Sequence, residues 1–313
     1  MRKCLITGCE GFIGSHLADF LVEKGLPVYA MTYGDTQNID HLKREMDFVQ
    51  CDLRDKEKVS DIINKVKPDI VFHLAAQSFV TVSWQNPEIT LQTNIMGTFN
   101  LLDSVRKAEI EPLIEVVGSS AVYGFSEFNE MPLKESRGFC PTSMYGVSKV
   151  SEEVMGYFYW KAYGMRIIRV RPFNMTGPRK TDDACADFSK AVVEVEKGIK
   201  KVVEVGNLDT VRDFTDGRDA IRALWLLGEK GELGEVYNLC SGKEHKMGEI
   251  LHKLLSLSHK KIEYRIVPEK MRPFDDPVYI GDNTKLRNLG WNIEIPLEKT
   301  LTDMLDYWRQ RIS

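Results

Sequence analysis

The sequence predicts an α/β protein: a doubly wound parallel sheet followed by a smaller C-terminal α/β lobe. Three observations carry this. Short β-branched and apolar runs alternate with helical periodicity through the first half of the chain, and strands separated by crossover helices pair in parallel. A glycine-rich turn, "TGCEGFIGSHL" (7–17), follows the first apolar run and opens the first helical one. After Arg171 the rhythm breaks at a polar loop marked by Gly and Pro, "RPFNMTGPRKTDDAC" (171–185).

The elements follow in order. Strands are expected at "KCLIT" (3–7), "PVYAMT" (27–32), "DFVQC" (47–51), "DIVFHLA" (69–75), "LIEVVGS" (113–119) and "MRIIRVR" (165–171). Helices are expected near 12–25, 56–66, 88–108 and 143–163, and they supply the cover that apolar strands such as 113–118 need on both faces. Beyond the loop come a helix near 186–198, strand "KVVEV" (201–205), helix 216–230, strand "EVYNLC" (235–240) and helices to the C-terminus. The predicted division is 1–172 and 173–313, with the chain returning to the main sheet around 214–240.

The bulk numbers narrow the class. The 313 residues suffice for one large domain with an attached lobe, and 43% hydrophobic with 28% charged residues is ordinary for a globular enzyme. A net charge of -4 gives no reason to expect nucleic acid or an anionic membrane as partner. Cys4, Cys9, Cys51, Cys140, Cys185 and Cys240 show no paired spacing, which predicts reduced, buried thiols. Met1-Arg2-Lys3 runs straight into an apolar strand and no apolar run reaches the length of a membrane span, so a cytoplasmic protein is expected. His245, His252 and His259 are spaced by sevens, but the helix expected at 247–257 holds only the middle one, and no metal site is predicted.

The glycine turn is a phosphate cradle. Gly8 permits the tight turn, Gly11 lets the backbone approach a pyrophosphate, and Gly14 lets helix pack on strand. The N-terminus of the following helix, with Phe12 and Ile13, then faces the phosphates of a dinucleotide. At the end of the second strand an acid would bind the adenosine ribose and repel a 2′-phosphate. Thr32 stands there and tolerates a phosphate, no arginine follows to clamp one, and Asp35 can serve a ribose if the turn at Gly34 bends inward. The cofactor is therefore NADP(H) or NAD(H), with the balance towards NADP(H). Asp52 and Leu53 follow the third strand, where adenine would lie, and Leu74, Ala75 and Ala76 end the fourth, where the cofactor would cross the sheet.

Two stretches supply reactive groups. In "SMYGVSKV" (143–150) Tyr145 and Lys149 are four residues apart and share one helix face. A free tyrosine titrates near pH ~10, and a neighbouring ammonium favours its phenolate. Tyr145 can then exchange a proton with a sugar hydroxyl while hydride passes to or from a nicotinamide. In "VGSSAVYG" (117–124) Ser119 would hydrogen-bond the same oxygen.

Taken together, TGxxGFxG, HLAA, SS…YG and YxxxK resemble the extended short-chain dehydrogenases/reductases of the sugar-nucleotide epimerase/dehydratase group, with their Rossmann-type sheet. The strings "AAQSFVTVSW" (75–84), "GNLDTVRDFTD" (206–216), "VYNLCSGK" (236–243), "RPFDDPVYIGDNTKL" (272–286) and "GWNIEIPLEKTL" (290–301) are similar to those of GDP-mannose 4,6-dehydratases, and closer still to those of GDP-4-keto-6-deoxy-mannose reductases. The resemblance implies that 1–172 binds the dinucleotide, with Pro172 beside it, and that 173–313 binds a nucleotide sugar. It implies that Ser78, Ser120, Asn174, Arg179, Asn207, Arg212 and Arg272 line the sugar-nucleotide site. It also implies a homodimer built on the helices at 88–108 and 143–163. Their spare apolar residues are Ile95, Phe99 and Leu102 on the first, and Val154, Phe158 and Trp160 on the second.

The chain departs from the dehydratase pattern at one place. Those enzymes carry Thr, one residue, then Glu before the Tyr-Gly, where this chain has Ser119, Ser120 and Ala121, the "SSA" seen in sugar 4-epimerases. Expelling water across C5 and C6 needs a group to take the C5 proton and one to protonate the leaving hydroxyl, and alanine does neither. The expected activity is reduction of a 4-keto, 6-deoxy hexose carried on GDP. The alternatives are a GDP-mannose 4,6-dehydratase or a 4-epimerase on the same fold, and a catalytically silent nucleotide-sensing scaffold.

Overall fold

The computed structural model describes residues 1–271 and 276–312. Its first part runs β1 (Cys4–Thr7), α1 (Phe12–Glu23), β2 (Val28–Thr32), β3 (Asp47–Gln50), α2 (Lys56–Val66) and β4 (Ile70–His73). Then come α3 (Val80–Gln85) and α4 (Pro87–Leu91), the latter continuing through a π-helical stretch (Gln92–Met96) into α5 (Gly97–Lys107). β5 (Leu113–Val117), α6 (Met144–Tyr163) and β6 (Ile167–Pro172) complete this half. The remainder runs β7 (Asn174–Thr176), α7 (Ala184–Glu196), β8 (Val203–Val205), β9 (Val211–Arg212), β10 (Phe214–Asp216), α8 (Gly217–Lys230) and β11 (Val236–Leu239). It closes with β12 (His245–Lys246), α9 (Met247–Ser256), β13 (Tyr264–Ile266), β14 (Val278–Tyr279), α10 (Thr284–Asn288) and α11 (Leu297–Arg311).

Seven strands form one sheet in the order β11-β6-β5-β4-β1-β2-β3, and every pairing within it is parallel. The expected doubly wound sheet is present, and the chain does return to it through β11 beside β6. Several helices begin where a side chain satisfies a free amide. Asp55 caps α2 at 3.1 Å, Ser143 caps α6 at 3.0 Å and Asp183 caps α7 at 2.7 Å. Gly164, at φ +67°, ends α6 in the left-handed conformation that glycine adopts without strain.

Side chains alternate across the sheet. Ile6, Leu113 and Val117 join one core beneath α1 and α8, while Leu5, Ile114 and Val116 join another beneath α2, α5 and α6. By the same alternation Glu115 enters the α8 side, where both its carboxylate oxygens are buried without a hydrogen-bond partner among the described residues. A third core, built from Phe188, Val192, Val203, Phe214, Ile250, Leu254, Leu301 and Met304, fills the C-terminal lobe.

Several expectations need correction. The helix read over 88–108 is interrupted by π-helical geometry, and α3 lies in a stretch left without an element. Leu102 is fully buried in the protein's own core and Trp160 packs against that core over Gly234, so neither belongs to a spare apolar surface. Of the six thiols, all free, Cys140 is exposed rather than buried. Among the described residues no helix is long and apolar enough to cross a membrane, and no cluster of His, Cys, Asp or Glu could hold a metal.

Candidate active site

The site forms where the C-terminal ends of β1, β4, β5 and β6 meet the start of α6, the place at which parallel sheets present ligands. Gly8, at φ +67°, closes the turn after β1, and a Cβ there would lie 2.8 Å from the Cα of Ala75. A Cβ on Gly14 would collide with the carbonyl of Gly8 and the backbone of Cys9. Backbone therefore approaches backbone at both positions, which leaves a cradle that suits a pyrophosphate. Phe12 turns its ring onto Gly217 and Ile13 is buried in the core, so what these two offer a ligand is backbone. Leu53 packs on Gly97, and Asp52 is held below the usual carboxylate range, chiefly by hydrogen bonds from the Arg54 guanidinium. Leu74, Ala75 and Ala76 line the exit of β4 half-buried, and Pro172 is buried at the end of β6.

The end of β2 holds a group that the sequence reading passed over. Thr32 is buried, and the Glu10 carboxylate accepts from the amides of Tyr33 at 2.8 Å and Gly34 at 3.0 Å. The glycine turn thus places a carboxylate at the end of β2, where the strand itself carries none. The Arg54 guanidinium lies 3.4 Å from the Tyr33 hydroxyl.

Ser119 caps the short 3-10 turn Ser120–Val122, its Oγ accepting from the Ala121 amide at 3.1 Å, which leaves its own proton to donate. The Ala121 carbonyl would lie 2.9 Å from a Cβ on Gly146, so this turn sits directly against the residue after Tyr145. Lys149 lies one turn further along α6, buried, with Nζ 5.9 Å from the centre of the Tyr145 ring. Its ammonium donates to the Val117 carbonyl at 3.1 Å and to Glu152 at 2.9 Å. Burial works against the Lys149 charge, yet Glu152 and Tyr145 hold its pKa above the ordinary lysine value. The structure therefore brings the three expected catalytic residues into one place.

A buried chain of polar groups runs beside this set and reaches the Tyr145 carbonyl, and its proton positions follow from donor counting. Thr7 Oγ1 accepts from the amides of Leu74 and Ala75, both at 3.1 Å, so its proton goes to His73 Nδ1 at 2.9 Å. Thr98 donates to the Asn94 carbonyl at 2.7 Å, so it accepts from His73 Nε2 at 2.8 Å. Burial, with Lys149 adding to it, pushes His73 down to about 3, which keeps the ring neutral as this pattern requires. Asn94 clasps Gln77 at both its amide (2.7 Å) and carbonyl (3.1 Å) and donates to Ser148 at 2.9 Å. Ser148 in turn donates to the Tyr145 carbonyl at 2.7 Å. Asn94 and His73 are site residues that spacing could not reveal, because each acts through partners distant in sequence.

The residues expected around a sugar nucleotide are more dispersed. Asn174 donates to the Asp213 carbonyl at 3.1 Å, and the Arg212 guanidinium donates to the Asp276 carbonyl at 2.7 Å. Ser120 is buried, with its carbonyl accepting from the Tyr279 hydroxyl at 2.5 Å, while Ser78 and Asn207 are exposed in loops. Arg179 pairs with Asp19 of α1 at 2.7 Å and so ties the lobe to the sheet domain. Arg272 lies outside the described residues.

Known proteins share this fold along nearly the whole chain. The model of the family described as GDP-mannose 4,6 dehydratase matches residues 5–304. A GDP-6-deoxy-D-mannose reductase of Pseudomonas aeruginosa is 29% identical over 99% of this chain and 98% of its own. The structure of RMD from Pseudomonas aeruginosa complexed with NADPH aligns with a TM-score of 0.88 at 28% identity, covering 100% of both chains. That of the UDP-glucose 4-epimerase of Thermus thermophilus in complex with NAD aligns with the same TM-score of 0.88 and 28% identity, over 99% of this chain and 100% of that one. Matched along nearly its whole length by one family model, the chain belongs to the GDP-mannose 4,6-dehydratase family, within the extended short-chain dehydrogenases/reductases.

Proposed function

We propose that this protein reduces a 4-keto, 6-deoxy hexose carried on GDP, in the manner of the Pseudomonas reductase it resembles. The observation that carries the reading is an intact hydride-transfer set, Ser119, Tyr145 and Lys149, beside Ala121 where dehydratases hold their acid. Glu130 in the following loop is engaged elsewhere, by Arg137 at 2.9 Å and by the Glu127 amide at 2.8 Å. NADPH or NADH, held over the glycine cradle, would supply the hydride. Tyr145 gives its proton to the C4 oxygen, Ser119 donates to that same oxygen, and Lys149 keeps positive charge beside the phenol. Residues 173–313 bind the sugar nucleotide. The free thiols fit a reducing compartment such as the cytosol.

The deciding experiment supplies two substrates. GDP-4-keto-6-deoxy-mannose with NADPH or NADH is expected to consume the reduced coenzyme, and running the two coenzymes in parallel reads their preference. GDP-mannose with oxidised coenzyme is expected to give no 4-keto-6-deoxy product; its appearance would replace the reductase with a dehydratase. Interconversion of C4 epimers without net coenzyme change would favour the epimerase, which the Ser119-Ser120-Ala121 string also fits.

A homodimer is part of the proposal. Met144 (45% exposed), Val147 (38%), Val154 (48%) and Phe158 (50%) lie along the outer face of α6 at helical spacing. Met96, 47% exposed, adds to them from the π-helical stretch. A second copy offering the same face would cover this stripe isologously. Light scattering at micromolar concentration is expected to show a dimer, and Phe158→Lys a monomer that still binds dinucleotide; a monomeric wild type refutes the dimer.

A further inference from the structure

Helix α6 carries two consecutive buried glutamates with different surroundings. Glu153 is fully matched: Arg171 grips it through two bonds of 2.8 and 2.7 Å, and Arg169 adds a third contact at 3.4 Å. Glu152 instead sits on the catalytic lysine, its Oε2 accepting from Lys149 Nζ at 2.9 Å. Its second oxygen is buried without a hydrogen-bond partner among the described residues. A buried carboxylate with half its acceptors unused is costly, and only the adjoining ammonium offsets that cost.

We propose that Glu152 is a positioning residue for the reaction, its carboxylate cancelling enough of the Lys149 charge to keep Tyr145 a phenol, the form that donates a proton to a ketone. The inference rests on the proposed role of Tyr145 as proton donor. The ammonium, 5.9 Å from the Tyr145 ring centre, would by itself favour the phenolate, the form that takes a proton from an alcohol. A carboxylate 2.9 Å from Nζ makes the lysine one half of a near-neutral pair, and the field at the ring falls accordingly. The phenol then persists where reduction needs it.

The pair is also responsive. Burial pushes Glu152 up to about 7, against the pull of Lys149, so its charge changes in the neutral range. The other ionisable groups around α6 are otherwise occupied. Glu153 is held by the two arginines of β6, Asp103 of α5 by Arg106 and Lys107, and Glu88 of α4 accepts from Gln92. His73 of β4 is neutral, and Glu115 of β5 enters the opposite core. Below neutrality Glu152 takes up a proton and the ammonium acts unopposed; above it the pair shields the phenol.

The test reads the phenol without any sugar. Phenolate difference absorbance is titrated on the coenzyme-bound protein, with the Tyr145→Phe signal subtracted. Glu152→Gln keeps an acceptor on Nζ and removes the charge, so the midpoint is expected to fall by about one pH unit or more. The basic limb of kcat/KM for ketone reduction should move with it, whereas Glu152→Asp, which retains the charge, should keep the wild-type midpoint. If the amide does not fold, Glu152→Met is measured in its place with the same expectation. An unmoved midpoint in the uncharged variant overturns the proposal, whatever happens to kcat. Failure of the substrate assignment alone would leave the midpoint shift in place while the chosen sugar goes unreduced.

Discussion

Tyr145→Phe is expected to abolish turnover while leaving dinucleotide binding nearly intact. General acid catalysis contributes roughly 10²–10⁴-fold, and the substitution deletes the proposed proton donor. Little else should change. Tyr145 is half-buried, its carbonyl rather than its hydroxyl is the acceptor for Ser148, and the glycine cradle is built on β1 and α1. Steady-state rates and coenzyme titrations on the pure variant check both halves. A variant that kept more than about a tenth of the wild-type rate would remove Tyr145 from the donor's place.

Glu115→Met is expected to stabilise the protein, and by more at alkaline than at acidic pH. Neither Glu115 oxygen has a hydrogen-bond partner among the described residues, and the nearest relief is the space over Gly228, where a Cβ would lie 3.3 Å from Oε1. Burial raises this carboxyl well above its ordinary 4.5, so the folded protein holds a proton there that the unfolded chain releases. The sign follows from linkage. Once the pH passes about 4.5 the unfolded state binds fewer protons, and stability drops by about 1.4 kcal/mol for each further unit until the folded-state value is reached. Methionine, close to glutamate in shape, removes the titration and fills the space. Urea unfolding of both proteins near pH ~5 and pH ~8 measures the difference. A gain that does not grow with pH, or a loss at both, would contradict a protonated, unpaired Glu115.

The main sheet was legible because its strands are long enough to show alternation and are separated by helices with their own period. The lobe was legible only in part. Strands β9, β12 and β14 have two residues each, and no periodicity exists over so short a run. The loop between β11 and β12 is held instead by Asp213, whose carboxylate accepts from the Ser241 amide at 2.8 Å, the Ser241 hydroxyl at 2.6 Å and the Gly242 amide at 2.9 Å. Tyr145 and Lys149, the proposed proton donor and its neighbour, were readable because they lie one turn apart on one helix. Glu10 was not, because its meaning depends on Tyr33 and Gly34 coming back to it across the sheet. Glu152 was visible as a letter beside the motif, but only burial shows that it is seated on the lysine. Leu102 was misjudged for the opposite reason: an apolar residue on a helix does not say which of two sheet-facing directions it takes.

The π-helical stretch from Gln92 to Met96 gives the rod that bears Asn94 two phases. A π turn holds one residue more than an α turn, and one residue corresponds to about 100° of rotation. Downstream, Leu101, Leu102 and Val105 lock the rod against the sheet; upstream, Asn94 and Thr90 face Gln77 and α6. Losing a single residue from this stretch would let the helix regularise, and the two halves could no longer both point inward. The segment thus does not tolerate a change in the number of its residues: its length is the gear setting that meshes the Asn94 clasp with the core.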